Sequence, residues 1–503
     1  MEVHSRYFND KIQIAVPLKH KDFIKEISNS LSVYRPNYKH EKGYKLGRTD
    51  GKERFYKLQL IKQQIAVFDI ELGFYDTVKK IFDKHHLPFL EKQVTPFSKE
   101  SITEFMKKTL GTLPFKPRKY QVQITYNFLL NKRHFARAST GAGKSLVAYL
   151  TMLYLFQNNK KCILVVPTID LVSQMYSDFE EFNAPQDFLN NIQKIGGDFK
   201  GKELSKPVVI STWQSLKNIK SEIQKYDTLF VDELHKAKAE VLSDISKTKI
   251  PHKIGMTGSV PGVDIDRMKI IENFGEPVTY VTAKDLIDLG ILSKTKIVVV
   301  YLNYPRKETK SGLKYQQEMK LIKENEKRKK FLYSFINKIK KKGISVCTFN
   351  TTKYGEEIYY RLANQKINRI RNDFEKQKEH KVFFIDGKTK AQTRKQIREY
   401  LNSDQSSNEV LIAQTTVIDT GTNIPKMKNL VFLEPPGKSF TKIIQSIGRV
   451  MRKHQDKGDC VYVFDIVDVF DYKTENYCFR HFWERLNYYE SEQHEIIESE
   501  KSL

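Results

Sequence analysis

Ala138-Ser139-Thr140-Gly141-Ala142-Gly143-Lys144-Ser145 opens onto an apolar run, Leu146–Phe156, with the length and residue types of a helix. The glycines let successive backbone N–H groups curve around one point. The helix that follows brings the positive end of its dipole to the same place. A lysine and a hydroxyl residue complete a cradle for a phosphate chain. Lys144 is placed to reach the outer phosphates of ATP, and Ser145 to hold Mg2+. Ser139, Thr140, Gly141, Ala142, Gly143, Lys144 and Ser145 are therefore the candidate nucleotide-binding residues. Ala138 stands where the general pattern has its first glycine. Alone, the segment also reads as a glycine-rich turn that begins a helix.

Downstream, the apolar run Thr228–Val231 ends in Asp232-Glu233-Leu234-His235. Acidic residues at the carboxyl end of a buried strand sit where open α/β sheets bind ligands. Asp232 is expected to hold Mg2+, through water. Glu233 is expected to orient and deprotonate the attacking water. His235 could link nucleotide state to contacts between domains. By itself the tetrapeptide could be a helix cap; a phosphate loop upstream shifts the balance toward chemistry.

Around these motifs the pattern is α/β. The runs Cys162–Val166, Pro207–Ser211, Thr228–Val231 and Lys253–Met256 are short, apolar at consecutive positions and separated by helical stretches. Such runs suit strands covered on both faces of a parallel sheet. A second series follows: Ile344–Phe349, Val382–Ile385, Val410–Ala413, Leu430–Leu433 and Val461–Ile466. The expected fold is two tandem RecA-like parallel-sheet domains, 115–285 and 296–503, the latter with a helical tail. A small α+β module (1–92) and a proline-punctuated connector (93–114) precede them. The link around Ala283–Lys296, with Gly290, is a candidate hinge. The Lys-rich stretches Lys323–Lys330 and Lys338–Lys342 read as solvated helix faces.

Composition agrees with a polyanion partner. The chain has 86 Lys and Arg against 60 Asp and Glu, a formal charge of +26. Such a field speeds encounter with nucleic acid, and affinity should fall steeply with salt; a lysine-rich genome would leave the same mark. Four dispersed cysteines suggest neither zinc nor disulfides, as expected in a reducing cytoplasm. No secretory signal and no membrane-spanning run are expected.

Taken together, Ala138–Ser145, Val-Val-Pro-Thr (165–168) with Gln174, Ser-Thr-Trp-Gln-Ser (211–215), Asp-Glu-Leu-His (232–235), Thr-Gly-Ser (257–259) and Gln-Ser-Ile-Gly-Arg-Val-Met-Arg (445–452) resemble helicase superfamily two in order and spacing. Within it the chain is similar to the phage UvsW-type helicases. Tyr34-Arg35-Pro36-Asn37-Tyr38 and Gly47–Lys52 extend that similarity to the first module.

The resemblance implies roles for further residues. Tyr120 and Gln121 would recognise adenine. Thr257, Ser259 and Gln445 would couple ATP cleavage to DNA contacts, and Gly421 would belong to the nucleotide site. Arg449 and Arg452 would approach the γ-phosphate from the second domain, so that hydrolysis requires closure. Thr168, Thr212 and Gln214 would follow the DNA backbone without reading bases, and Arg48 and Lys52 would add contacts from the first module. Asn423 stands where many relatives carry Asp; it can keep a hydrogen bond but not a charge.

The implied activity is an ATP-dependent DNA helicase or translocase. It would act as a monomer on double-stranded and branched DNA, with RNA–DNA hybrids as a further substrate, in the host cytoplasm if phage-encoded. Two other readings stay open: a restriction-type translocase or RNA helicase, and a catalytically silent nucleic-acid-binding scaffold.

Overall fold

The computed structural model describes residues 3–503 except 9, 37, 63, 197–203, 217–219, 237–241, 243, 246–247, 259–263, 306–312, 420–423, 437–446, 449–450, 452, 455–457, 459 and 472–474. The chain divides into two compact units. One comprises Met1–Ala138 with Ala142–Val281, the other Ser139–Gly141 with Thr282–Leu503.

The first unit begins with six strands: β1 (His4–Phe8), β2 (Lys11–Pro17), β3 (Ser32–Tyr34), β4 (Lys52–Arg54), β5 (Tyr56–Ile61) and β6 (Ile65–Glu71). Four form an antiparallel sheet in the order β1-β2-β6-β5, and β3 pairs with β4 as a separate ribbon. In β2, buried Ile12, Ile14 and Val16 alternate with half-buried residues, the signature of a sheet with one covered face. The helices Lys21–Ser30 and Tyr75–Lys84 cover that face with Phe23, Ile27, Val78 and Phe82. The module's core also takes in Ile271, from the helix Asp264–Phe274 of the parallel-sheet region. Gly73 lies so close to the carbonyls of Ile271 and Glu272 that a Cβ there would collide with them. The α+β module is thus packed directly onto the α/β layer.

That layer contains β7 (Arg133–Ala138), β8 (Cys162–Val166), β9 (Ile192–Ile195), β10 (Val208–Thr212), β11 (Thr228–Asp232), β12 (His252–Thr257) and β13 (Pro277–Val281). Among the described residues they form a parallel sheet in the order β13-β7-β12-β11-β8-β10-β9. Strands β8, β10, β11 and β12 are buried at every position, as expected of apolar-centred strands covered on both faces.

The second unit repeats the plan with β14 (Lys294–Asn303), β15 (Ser345–Phe349), β16 (Val382–Ile385), β17 (Val410–Gln414), β18 (Asn429–Phe432), β19 (Cys460–Val469) and β20 (Glu495–Ser502). Their order among the described residues is β16-β17-β15-β18-β19-β14-β20, again parallel. Two tandem RecA-like sheets behind an α+β module is the architecture expected from the sequence.

Three details differ from the sequence reading. The link expected around Ala283–Lys296 holds a capped helix, Ala283–Asp288, a turn that includes Gly290 at φ +69°, and the start of β14. The tail is a helix, Tyr477–Ser491, followed by β20, whose largely exposed residues show no apolar alternation. The lysine-rich helix Glu326–Ile339 is not wholly solvated. Its Arg328 is fully buried, with Nε 2.7 Å and Nη2 3.0 Å from the two carboxylate oxygens of Asp468. Nη1 of Arg328 also donates to Tyr354 Oη and the Leu433 carbonyl. On the opposite face of β19, Arg485 makes the equivalent forked pair with Asp465 at 2.8 and 3.0 Å. No helix among the described residues is long and apolar enough to cross a membrane.

Candidate nucleotide site

Parallel pairing puts the carboxyl ends of β7, β8, β10, β11 and β12 at one end of the sheet. The motif residues of the first unit follow from that. β7 runs directly into the phosphate loop, whose Gly141 and Gly143 adopt φ +87° and +74°. A side chain at Gly143 would strike the amide of Gln121. The loop needs glycine there for both backbone conformation and space. Lys144 then starts a helix, Lys144–Gln157, buried along Leu146–Leu155.

The loop is gripped from the helix Lys119–Leu130. Tyr120 Oη and Gln121 Nε2 both donate to the Ala142 carbonyl at 2.9 Å, and Gln121 Nε2 lies 3.3 Å from the Gly143 carbonyl. Gln121 Oε1 in turn accepts from the Arg118 backbone N–H at 2.8 Å. Here the polar ends of both residues expected at adenine meet the loop backbone. Burial raises the Tyr120 phenol pKa, which keeps its proton available for this bond.

Beneath the loop lies the acidic pair at the end of β11. Asp232 is 5% exposed, and one of its carboxylate oxygens accepts from the Glu233 N–H at 2.9 Å. Glu233 sits at φ +49°, a left-handed backbone that ordinary residues rarely adopt. That turn carries its carboxylate to Lys144, with Nζ–Oε1 at 3.1 Å. Lys144 Nζ also lies 3.5 Å from the Ala138 carbonyl. Burial pushes the Lys144 ammonium toward neutrality, but the Glu233 and Asp232 carboxylates outweigh it, and the net shift is upward.

The other Glu233 oxygen reaches back to the sheet. Oε2 is 3.3 Å from His235 Nδ1 and accepts from Thr257 Oγ1 at 3.4 Å, while His235 Nδ1 and Thr257 Oγ1 are hydrogen-bonded to each other. Phosphate-loop lysine, acidic pair, His235 and the end of β12 therefore form one connected polar cluster. The sequence named these residues; it gave no sign that Lys144 and Glu233 meet directly, or that Glu233 takes a left-handed turn.

The expected nucleic-acid contacts lie on neighbouring strand ends. Thr168 caps the helix Ile169–Glu181, its hydroxyl accepting from Leu171 N. Thr212 ends β10 with its hydroxyl 3.1 Å from Ser215 Oγ, and Gln214 is exposed beside it. Arg48 is exposed in the first module, and Lys52 belongs to β4. Ser259, Gly421, Gln445, Arg449 and Arg452 lie outside the described residues.

The donor set fits a nucleotide triphosphate with its cation. Curved loop amides and Lys144 suit phosphate oxygens. The Ser145 hydroxyl and the Asp232 carboxylate suit Mg2+, which keeps water and phosphate ligands and needs few protein oxygens.

Comparison with known proteins agrees with this geometry. A family model described as the res subunit of type III restriction enzymes matches residues 114–261, and the helicase conserved C-terminal domain matches 326–454. The ATP-dependent DNA helicase UvsW of enterobacteria phage T4 is 27% identical over 408 residues, 77% of this chain and 78% of its own. The ATP-dependent DNA helicase RecG of Aquifex aeolicus is 22% identical over 369 residues, covering 69% of this chain and 41% of RecG. In structure, a fragment assigned to an HsdR subunit of a type I restriction enzyme from Vibrio vulnificus superimposes with a TM-score of 0.56 at 18% identity, over 80% of this chain and 71% of the fragment. With the two halves of a helicase core matched in order, and the phosphate loop and acidic pair joined at the ends of the first sheet, the chain belongs to helicase superfamily two and is UvsW-like.

Proposed function

We propose that the chain is an ATP-dependent DNA helicase that moves on duplex DNA and remodels branched DNA by fork regression, branch migration and R-loop unwinding. The observation that carries this reading is the contact of Lys144 with Glu233, which Thr257 and His235 tie to the end of β12. ATP with Mg2+, when bound, supplies the free energy of phosphoanhydride cleavage. Lys144 can then exchange its carboxylate partner for phosphate oxygens, and Glu233 is released to orient and deprotonate water. Asp232 and Ser145 hold the cation. Thr257, bonded to both Glu233 and His235, feels that release at the end of β12.

The similarity to helicases named UvsW and RecG supports DNA as the track, and the formal charge of +26 suits a polyanion. Recombination, repair and replication of a phage genome in the host cytoplasm, by a monomeric motor, complete the proposal.

The test is ATPase activity measured beside fork-regression and branch-migration assays on forked DNA, linear duplex and RNA. Forked DNA should stimulate turnover most. Strongest stimulation by RNA would overturn the reading, and no turnover with any nucleic acid would favour a catalytically silent scaffold.

A further inference from the structure

Between Ser32 and Arg54 the first module gathers aromatic and basic side chains that the nucleotide site does not use. In the β3–β4 ribbon, Tyr34 stands opposite Lys52, whose Nζ is 5.1 Å from the centre of the Tyr34 ring. The Tyr34 ring stacks on Tyr38 at 4.5 Å with planes 23° apart, and Tyr44 meets Tyr38 edge-on at 4.9 Å and 87°. Gly51, at φ +76°, packs against the Tyr38 ring so tightly that a Cβ there would strike it. Tyr38 is held in place from that side. Tyr34 remains 53% exposed and Tyr44 37%.

The charge around these rings is one-sided: residues 32–54 hold seven basic and three acidic side chains. Of the acids, Glu41 is paired with Arg35 and Asp50 with Arg54. Lys39, Lys42, Lys45 and Arg48 are exposed on the same segment. A stacked pair serving only as a small core would be shielded by other side chains, and more than half of Tyr34 is not. An exposed ring, pre-stacked on a fixed second ring and surrounded by cations, has the chemistry of a base-stacking step.

We infer that this ribbon binds unpaired DNA bases, with Tyr34 offering the stacking face and Lys42, Lys45, Arg48 and Lys52 the field for the adjoining phosphates. A base within a duplex shows only its edges in the grooves; a base at a tail, gap or junction shows its flat face. The site therefore distinguishes DNA with single-stranded character from blunt duplex. It rests on the reading of the chain as a DNA motor and names the DNA feature this module recognises.

The experiment is fluorescence anisotropy of the full chain with a blunt duplex and with the same duplex carrying a single-stranded tail of roughly ten nucleotides. The wild type should bind the tailed DNA more tightly. Tyr34→Ala should weaken tailed-DNA binding roughly 5- to 30-fold and bring it to the level of the blunt duplex. Tyr34→Phe should keep the preference. Tyr34→Lys, which adds charge while removing the ring, should lose it, and thermal melting checks that each variant is folded. Equal wild-type affinity for both DNAs, or a tail preference that survives Tyr34→Ala or Tyr34→Lys, would overturn the inference. DNA-stimulated ATPase is scored separately: its absence sinks the motor assignment, while the tail preference stands or falls on binding alone.

Discussion

Lys144 is the residue on which the site turns, because its ammonium bridges the phosphate loop and the acidic pair. Replacing it with Ala removes the cation that would meet the phosphates and leaves Glu233 without that partner. Lys144→Ala should lower DNA-stimulated ATP hydrolysis by at least ~100-fold while DNA affinity changes only a few-fold. Turnover near wild type in a steady-state ATPase assay would refute the assignment. The chemical types at this site were legible in the sequence, since a glycine-framed Lys-Ser and an Asp-Glu after an apolar strand each imply a task. The contact between them was not. It depends on the order β7-β12-β11 in the sheet and on the left-handed turn at Glu233, and neither leaves a mark in residue spacing. The hydrogen bonds of Tyr120 and Gln121 to the Ala142 carbonyl were hidden for the same reason.

Among elements, β7 and β12 carry imidazoles that the fold keeps neutral. Burial pushes His134 and His252 down to about 4. His252 Nε2 donates to the Phe128 carbonyl at 2.7 Å, and Nδ1 lies 2.9 Å from Thr228 Oγ1. In the unfolded chain these groups take up protons from about pH 6.5 downward. In the folded chain they do so only near 4, so the stability they allow is whole above pH 6.5 and is lost as pH falls toward 4. The loss should be on the order of 1–3 kcal/mol for each imidazole. Calorimetric scans should show a transition moving to lower temperature between pH 7 and 5, less steeply in His252→Gln; identical pH profiles would contradict this.

Strand β19 gives a second case at this scale. Its Asp465 and Asp468 point to opposite faces and fasten Arg485 and Arg328, one from each flanking helix. Asp468→Ala leaves a fully buried guanidinium without its carboxylate and should cost about 3–5 kcal/mol in urea unfolding. Asp468→Leu combined with Arg328→Met should recover most of it, and a single variant as stable as wild type would show the pair to be idle. The apolar strands β8, β11 and β16 were readable because burial on both faces demands uninterrupted hydrophobic runs. β20 was not readable, because it joins β14 through its backbone while its side chains stay largely in solvent.

At the scale of the whole molecule, the repeated strand-and-helix rhythm announced two tandem motor sheets. The +26 charge pointed to a polyanion. What the rhythm could not announce is how the first module is mounted. Gly73 brings two backbones into contact at the carbonyls of Ile271 and Glu272, and Thr77 Oγ1 donates to Glu276 Oε1 at 2.6 Å alongside. Gly73→Val should force that seam open, lowering the melting temperature and uncoupling forked-DNA stimulation from a basal ATPase that persists. Unchanged stimulation would mean the seam has no part in coupling. The tyrosine ribbon and the sheet that carries Lys144 belong to the same compact unit, joined at this seam. A strand caught on Tyr34 would then travel as cargo with the unit that grips the nucleotide.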